Sequence, residues 1–302
     1  MLKEKTPLVS IITVAWNNPE VTIELLRSIK QHGTYEAIEM IVVDNGSKED
    51  PTTAFERIYP EVKVIRTGKN LGFAGGNNAA IKVARGDYFF LVNNDTEFTP
   101  FLIEGLLDIF NRHAEAGIVS PKFHYYFHKG TIEYAGYHAV NIFTGRNGMI
   151  GCLENDNGQY DEEKVTNYAH GGAMMVSREM IHLAGPLPEV FFLYYEEFDW
   201  CETIKRKGYK VYYQPKSLIY HKESMTTGKI SPLKTFYQTR NRILFMQRNV
   251  PRFNFCVFVA YFVCFTIPKN SIVFFIKGQR EHLRSFWKAI MWHFNHSITF
   301  NQ

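Results

Sequence analysis

The chain has 302 residues, 45% of them apolar and 21% charged, which is enough to bury a large core and predicts one large domain with an appendage. The net charge of +4 is unevenly placed, because residues 226–302 hold eleven Lys and Arg against a single acid, whereas the first 225 residues are net acidic. This asymmetry predicts that the C-terminal segment meets an anionic surface, and its long apolar runs exclude a solvated nucleic-acid-binding face.

Apolar, β-rich runs alternate with helical segments from residue 8 to residue 123. Strands are predicted at 8–16, 40–44, 62–66, 88–92 and 117–123, and helices from Pro19 to about His32, from Asp50-Pro51, over 75–86 and from Thr99-Pro100 to about Arg112. The strand runs are continuously apolar, which indicates that helices cover both faces of the sheet. This order predicts an α/β fold with a mostly parallel, doubly wound sheet.

Polar or small residues follow the predicted strands. The strand ends are Trp16-Asn17-Asn18, Asp44-Asn45-Gly46, Thr67-Gly68 and Asn93-Asn94-Asp95. Because open α/β sheets bind ligands beyond the carboxyl ends of their strands, these residues predict one wall of a binding site. No GxGxxG follows the first strand and no Walker A motif occurs, so a dinucleotide site and a P-loop are excluded.

The sequence after residue 123 is less regular. Residues 124–169 predict short strands and loops over the mouth of the site, and 171–185 resume a strand–helix pattern. A helix from about Glu197 to Lys207 precedes a bent strand or strand pair at 209–221, which ends at His221.

Two acidic motifs are candidates for chemistry. Asp95 suits a Mg²⁺ or Mn²⁺ ligand that anchors a nucleoside diphosphate, or it is a simple turn cap. "YYEEFDW" (194–200) packs Glu196, Glu197 and Asp199 behind two aromatics, which suits a general base of raised pKa, or it is an acidic first helical turn.

His221 is either a metal ligand or a structural hydrogen-bonding group. The glycine-rich stretch 68–78 either approaches a ligand, with a helix starting near Gly76, or is a flexible turn.

Several motifs together resemble family 2 glycosyltransferases of the GT-A fold, closest to their rhamnosyltransferase-like branch. They are, in order, "VSIITVAWNN", "IVVDNGS", "NLGFAGGNN", "FFLVNNDTE", "GGAMMVSRE", "FFLYYEEFDWCETIKRKGY" and "YH". The similarity covers about residues 7–225 and continues weakly into "FYQTRNRILF". It implies a catalytic domain over 1–225, with a nucleotide-sugar half to about 123 and an acceptor half from 124, followed by a helical segment over 226–302.

The resemblance implies inverting transfer of rhamnose or another hexose from a nucleotide diphosphate to a glycan hydroxyl, with Mg²⁺ or Mn²⁺. Glu197 stands where the family has its catalytic base, and Asp95 and His221 where relatives bind the metal. Donor-site positions are Thr13, Ala15, Asp44, Gly72, Gly75, Gly76, Asn77, Asn93, Asn94 and Asp95, and acceptor-side positions are Gly171, Gly172, Glu196 and Asp199. Asn93 replaces an acid of the family's Asp-x-Asp, and Glu197 replaces the commoner Asp.

The C-terminal segment contains an apolar run over 253–267, which Pro268 and Lys269 interrupt. Fifteen residues are short for a transmembrane helix. With Arg and Lys nearby, the run predicts an interfacial element on anionic lipid, or else a helix buried against the catalytic domain. On the membrane interpretation, the acceptor is a lipid-linked glycan of cell-surface polysaccharide synthesis.

The compartment follows from the cysteines and the first residues. Cys152, Cys201, Cys256 and Cys264 form no CxxC pair and no zinc spacing, which predicts a reducing compartment. "MLKEKTPLVS" lacks the apolar stretch of a signal peptide. We therefore expect a cytoplasmic protein, peripheral on the inner face of the cell membrane.

Two rivals remain beside the transferase. A nucleotidyltransferase would need a glycine-rich, basic loop after the first strand, where "AWNNPE" stands instead. A catalytically impaired nucleotide-sugar-binding or scaffold protein of the same fold is suggested by Asn93, whereas the joint presence of Asp95, Glu197 and His221 argues against it.

Overall fold

The strands form where the apolar runs predicted them. A computed structural model of the chain describes residues 6–222 and 231–296, so the expected segment boundary at 225/226 lies outside the described residues. The strands are β1 Val9–Ala15, β2 Ile38–Asp44, β3 Lys63–Arg66, β4 Tyr88–Val92, β5 Thr96–Phe98, β6 Ala116–Tyr125, β7 Ile132–Tyr134, β8 Lys164–Thr166, β9 Ala173–Ser177 and β10 Lys210–His221.

The helices alternate with these strands and then dominate the C-terminal segment. They are α1 Pro19–His32, α2 Thr52–Ile58, α3 Gly72–Ile81, α4 Leu102–Arg112, α5 Arg178–Ala184, α6 Glu196–Arg206, α7 Pro232–Asn249, α8 Arg252–Tyr261, α9 Ile267–Ile276 and α10 Arg280–Asn295. Helix α1 begins at Pro19, whose missing N–H costs nothing in a first turn, and is followed by Gly33, as predicted.

Within the described residues the strands form one sheet in the order β3-β2-β1-β4-β9-β6-β10-β5, with β7 on β6 and β8 on β10. The pairs β3-β2, β2-β1, β1-β4 and β6-β10 are parallel, whereas β9 lies antiparallel between β4 and β6. The predicted α/β fold is confirmed, and its sheet is mixed, because β5 and β8 also pair antiparallel with β10, and β7 with β6. It places the carboxyl ends of β1, β2 and β4 side by side.

Both faces of the sheet are covered, because neighbouring residues of one strand enter different cores. In β1, Ile11 packs in the core that contains Leu25 and Leu26 of α1, whereas Ile12 packs in the core that contains Ala74 of α3 and Ile204 of α6. Side chains of a strand alternate between faces, so a continuously apolar run requires two covers.

Helix α3 begins earlier than predicted. The sequence favoured a start near Gly75, but the helix starts at Gly72, because the Asn70 side-chain oxygen accepts a hydrogen bond from Gly72 N at 2.8 Å. The glycines expected in a loop therefore lie inside the helix. The segment 209–221 is one strand, β10, bent by an irregularity between Gln214 and Leu218.

The apolar C-terminal run is longer than predicted. Pro268 does not end the helix, because a π-helical turn over Phe262–Thr266 joins α8 to α9 and leaves room for the proline ring. In the described part of the chain, the resulting 25-residue helix Arg252–Ile276 is the only one long and apolar enough to cross a membrane. Only 11% of its most apolar stretch is buried, so the alternative interpretation, a helix buried against the catalytic domain, is wrong.

Candidate active site

A cavity of about 440 Å³ lies at the carboxyl ends of β1, β2 and β4. Helix α6 and the first turns of α7 close its other side, so both segments of the chain contribute to it. The cavity brings together nine residues that the sequence predicted: Gly72, Asn93, Asn94, Asp95, Gly171, Gly172, Glu196, Glu197 and His221.

The predicted residues of β1 lie one position away from the cavity wall. Val14 and Trp16 line the cavity, whereas Thr13 and Ala15 are buried behind it, because successive residues of a strand face opposite ways. Asp44 is also buried and does not line the cavity. It accepts hydrogen bonds from Ser47 N at 3.0 Å and Arg66 Nε at 2.9 Å.

Most of the glycine-rich stretch supports the cavity wall without lining it. Gly75, Gly76 and Asn77 lie inside α3 rather than on the cavity, since the helix starts at Gly72. A Cβ at Gly76 would lie 2.9 Å from Val14 Cγ1, so this glycine allows α3 to pack closely on β1. The expected free amide end is absent as well. Gly72 N donates to Asn70 Oδ1, and Phe73 N donates to Phe192 O at 2.7 Å.

Two predicted metal ligands meet at the opposite wall. His221 Nε2 lies 3.3 Å from Asp95 Oδ1, and His221 Nδ1 lies 2.9 Å from Glu133. All three side chains are buried. Burial by itself would lower the pKa of His221, but the Glu133 and Asp95 carboxylates raise it to about 10. With no cation bound, the imidazole is therefore protonated, and a cation at Nε2 would have to displace that proton.

The donor set of this wall fits a divalent cation. His221 Nε2 is a buried nitrogen that makes no well-aligned hydrogen bond among the residues described. Glu133 holds the other ring nitrogen, as carboxylates commonly do for metal-binding histidines. Within residues 6–222 and 231–296, no three His, Cys, Asp or Glu side chains form a ready metal-ligand group. A cation held here would take its further ligands from phosphate and water.

Two adjacent carboxylates open α6 at the centre of the cavity. Burial, and then the charge of Glu197, raises the pKa of Glu196 well above its ordinary value. Burial also raises the pKa of Glu197 to about 7, although backbone amides of the first turn of α6 oppose the shift. A Cβ at Gly171 would lie 3.5 Å from Glu197 Cδ, so the carboxyl group rests against this glycine. Glu197 is half-buried and has the pKa of a base that works near neutral pH.

The loop before α6 is held in an uncommon conformation. Phe192, Tyr194 and Tyr195 have φ of 65°, 70° and 75°, which bulky residues rarely adopt. Asn241 of α7 stabilises it, because its Nδ2 donates to Phe191 O, Leu193 O and Tyr194 O at 2.9, 2.7 and 2.7 Å. Arg240 of α7 also donates to Val190 O and Phe191 O, so the position of both glutamates depends on side chains of the C-terminal segment.

Two predicted site residues have their polar side chains bonded to other elements of the fold. Asp199, expected on the acceptor side, lies outside the cavity and pairs with Arg248 of α7 at 2.9 Å, because it follows the cavity-facing turn of α6. Asn94 lines the cavity, but its Nδ2 donates to Thr22 of α1 at 3.0 Å. We therefore leave Asp199 out of the candidate site.

Sequence reasoning did not find several cavity residues as site residues. These are Glu133, His170, Lys234 and Gln238. Asn45, by contrast, was predicted in the wall because it follows a strand, and it organises the loop before α3 by accepting from Leu71 N and donating to Gly72 O. The others lie on irregular or C-terminal segments, where no sequence pattern marked them.

Comparison with known proteins is consistent with this geometry. The family described as "Glycosyl transferase family 2" matches residues 10–182. An uncharacterized protein, y4gI of Sinorhizobium fredii, is 27% identical over 81% of this chain, which spans 28% of that protein's length. The N-acetylglucosaminyl-diphospho-decaprenol L-rhamnosyltransferase of Mycobacterium tuberculosis is 23% identical over 74% of this chain and 79% of its own.

Solved structures share the fold. GalNAc-T7, solved with UDP, GalNAc and Mn²⁺, superposes with a TM-score of 0.65 at 13% identity, over 80% of this chain and 48% of its own. At that identity the likeness concerns the fold alone, and the expected GT-A fold is confirmed. Since the family match covers more than half of the sequence, the chain belongs to glycosyl transferase family 2.

Proposed function

We propose that this protein transfers a hexose, such as rhamnose, from a nucleoside diphosphate to a hydroxyl of a lipid-linked glycan, with inversion at the anomeric carbon. The observation that carries the proposal is the cavity that unites Glu197, a carboxylate of pKa about 7, with the Asp95–His221 pair. GalNAc-T7 was solved with the nucleoside diphosphate UDP, and the mycobacterial relative is named for a lipid diphosphate, which supports both substrate classes.

The reaction needs one base from the chain. Glu197 takes the proton of the acceptor hydroxyl, whose oxygen attacks the anomeric carbon as the bond to the donor diphosphate breaks. A single displacement inverts that carbon, and the nucleoside diphosphate leaves with the bond electrons. No second carboxylic acid is required, because a diphosphate is a stable leaving group, unlike the alcohol released from an ordinary glycoside.

Asp95 and His221 would hold Mg²⁺ or Mn²⁺, which neutralises charge on the leaving diphosphate when bound. Gly72, Asn93 and Asn94 line the cavity and would contact the donor. Asp44 accepts hydrogen bonds from Ser47 N and Arg66 Nε, and it would support the wall at the nucleoside. Gly171, Gly172 and Glu196 line the part on the Glu197 side, where the acceptor would lie.

The apolar helix Arg252–Ile276 supports a location on the inner face of the cell membrane. Phe253, Phe265 and Phe275 are 76%, 65% and 77% exposed, and the segment that contains them is basic. An exposed apolar helix with flanking cations binds anionic lipid surfaces. This location would present the cavity to acceptors that are themselves anchored in lipid.

Calorimetric titration with dTDP-rhamnose and a panel of UDP- and GDP-sugars tests the reaction class. We expect one donor to bind in the presence of Mg²⁺ or Mn²⁺, and chelator or the Asp95→Ala variant to weaken its binding at least tenfold, because the cation then lacks a ligand. Tight binding that chelator and Asp95→Ala both leave unchanged would contradict the role of Asp95. Failure of every donor would favour a scaffold protein of the same fold.

The pH profile tests Glu197 as the base. The carboxyl group must be ionised to accept a proton, so we expect kcat/KM to rise with pH, to reach half of its plateau near pH 7 and to be about tenfold below the plateau at pH 6. Glu202→Gln, on the same helix but bonded to Tyr168 outside the cavity, should keep this profile. A flat profile between pH 6 and 8 would contradict the assignment.

A further inference from the structure

A second cavity, of about 340 Å³, lies beside the candidate active site, between α7, the apolar helix Arg252–Ile276 and α10. Two cations, Arg146 and Arg242, line it together with three phenylalanines, Phe262, Phe274 and Phe286. We call it the arginine cavity. Its lining is both strongly basic and apolar, which is unusual for a gap between helices.

The two arginines carry uncompensated charge. Arg242 is only 8% exposed, and its Nε donates to Thr144 O at 2.8 Å, while its guanidinium lies over the rings of Phe258 and Phe262. Burial, with the charge of Arg146 adding to it, lowers the pKa of Arg242 to about 10. In the part of the chain that the structure describes, no carboxylate pairs with either guanidinium. Burying the charge of Arg242 without a carboxylate is costly unless an anion joins it, and the exposed Arg146 adds a second positive charge beside it.

The arginine cavity adjoins the active-site cavity. Gln238 lines both, and Tyr195, which lines the arginine cavity, directly precedes Glu196 and Glu197. The arginine cavity therefore has the apolar helix on one side, through Phe262 and Phe274, and the loop that carries the proposed base on another, through Tyr195. A lipid-linked acceptor has the same order of chemistry, namely an apolar chain, a phosphate or diphosphate, and a sugar hydroxyl.

We propose that the arginine cavity binds the phosphate or diphosphate of the lipid-linked acceptor, with Arg146 and Arg242 as its ligands and the phenylalanine wall against the first part of the lipid chain. Guanidinium groups bind phosphate oxygens through paired, charge-assisted hydrogen bonds. The inference rests on the proposed function, and it adds the site that would hold the acceptor while its sugar reaches Glu197.

The test is direct binding of farnesyl diphosphate to the full chain in detergent, with chelator present so that no cation at Asp95 holds the probe. We expect binding to wild type, at least tenfold weaker binding to R146E and R242Q, and weaker binding of farnesol and of inorganic diphosphate alone. Arg146 is exposed and its side chain makes no hydrogen bond among the described residues, so R146E should fold normally. The matched control is R57E, an exposed charge reversal on α2, which should bind like wild type.

Two further arms separate the possible failures. Nucleotide-sugar binding should be equal in wild type and R146E. If it is equal and farnesyl diphosphate also binds both equally, the arginine cavity is not the acceptor site, although the proposed function stands. If no nucleotide sugar binds wild type, the proposed function itself fails. If phosphatidylglycerol vesicles displace farnesyl diphosphate, and R146E loses vesicle binding tenfold, the cavity holds a membrane phospholipid headgroup and the acceptor assignment is wrong.

Discussion

Glu197→Gln should lower kcat for sugar transfer by about a thousandfold, with donor affinity within about threefold of wild type. The amide keeps the shape of the side chain and its contact with Gly171, but it cannot accept the acceptor proton. Since the donor would bind through the Asp95 side of the cavity, the affinity for the donor should change little. Stopped assays of transfer beside calorimetry of donor binding measure the two quantities separately.

Three companion variants make this result specific. Glu202→Gln on the same helix should retain nearly full activity, because its carboxyl group bonds Tyr168 away from the cavity. Glu197→Asp, which restores the residue commoner in the family, should retain part of the activity with a carboxylate drawn back by one methylene. If Glu196→Gln abolished transfer while Glu197→Gln kept more than a tenth of it, the base would be Glu196.

Asn241→Ala should lower kcat at least a hundredfold and the free energy of unfolding by about 2–4 kcal/mol. The substitution removes three hydrogen bonds to the carbonyl groups of the loop before α6. Each residue of positive φ in that loop stores about 1–3 kcal/mol of strain, which only the bonds from Arg240 and Phe73 N would then oppose. We expect the loop to relax and to carry Glu196 and Glu197 out of position. Kinetics and chemical denaturation measure both effects.

A second asparagine of α7 provides the control. Asn249 donates to Asp199 and to Phe245 O, outside the cavity, so Asn249→Ala should cost stability but leave kcat within about threefold. Asn241→Asp retains the size of the side chain but replaces the donor amide with an acceptor, so it should be at least as harmful as alanine. Equal kcat in Asn241→Ala and wild type would show that the loop keeps its shape unaided.

The sheet and one wall of the site follow from local sequence patterns. Continuous apolar runs predicted β1, β2 and β4. Of the residues after these strands, Trp16, Asn45, Asn93, Asn94 and Asp95 line the cavity, whereas Asn17, Asn18 and Gly46 do not. His221 was found because it ends a strand. These predictions succeed because strand ends of a parallel sheet must converge at one edge, whatever the loops between them do.

The remaining site residues depend on contacts that no local pattern encodes. Glu133 lies in the three-residue strand β7 and meets His221 across 88 residues of sequence. The start of α3 is set by the Asn70 side chain rather than by helix propensity, which misplaced Gly75 and Gly76 by one turn. Pro268 was expected to interrupt the apolar run, but the helix continues through it after a π-helical turn, a local backbone adjustment that helix propensity does not describe.

The contacts of α7 have a consequence for handling the protein. Asn241 holds the loop before α6, Arg248 pairs with Asp199, and Arg242 donates to the Thr144 carbonyl. A version shortened before α7 to avoid detergent would still contain Asp95, Glu197 and His221, yet it would lack the side chains that keep those loops in place. Solubility is better sought by replacing exposed phenylalanines of the apolar helix, such as Phe265 and Phe275, than by deleting the segment that carries them.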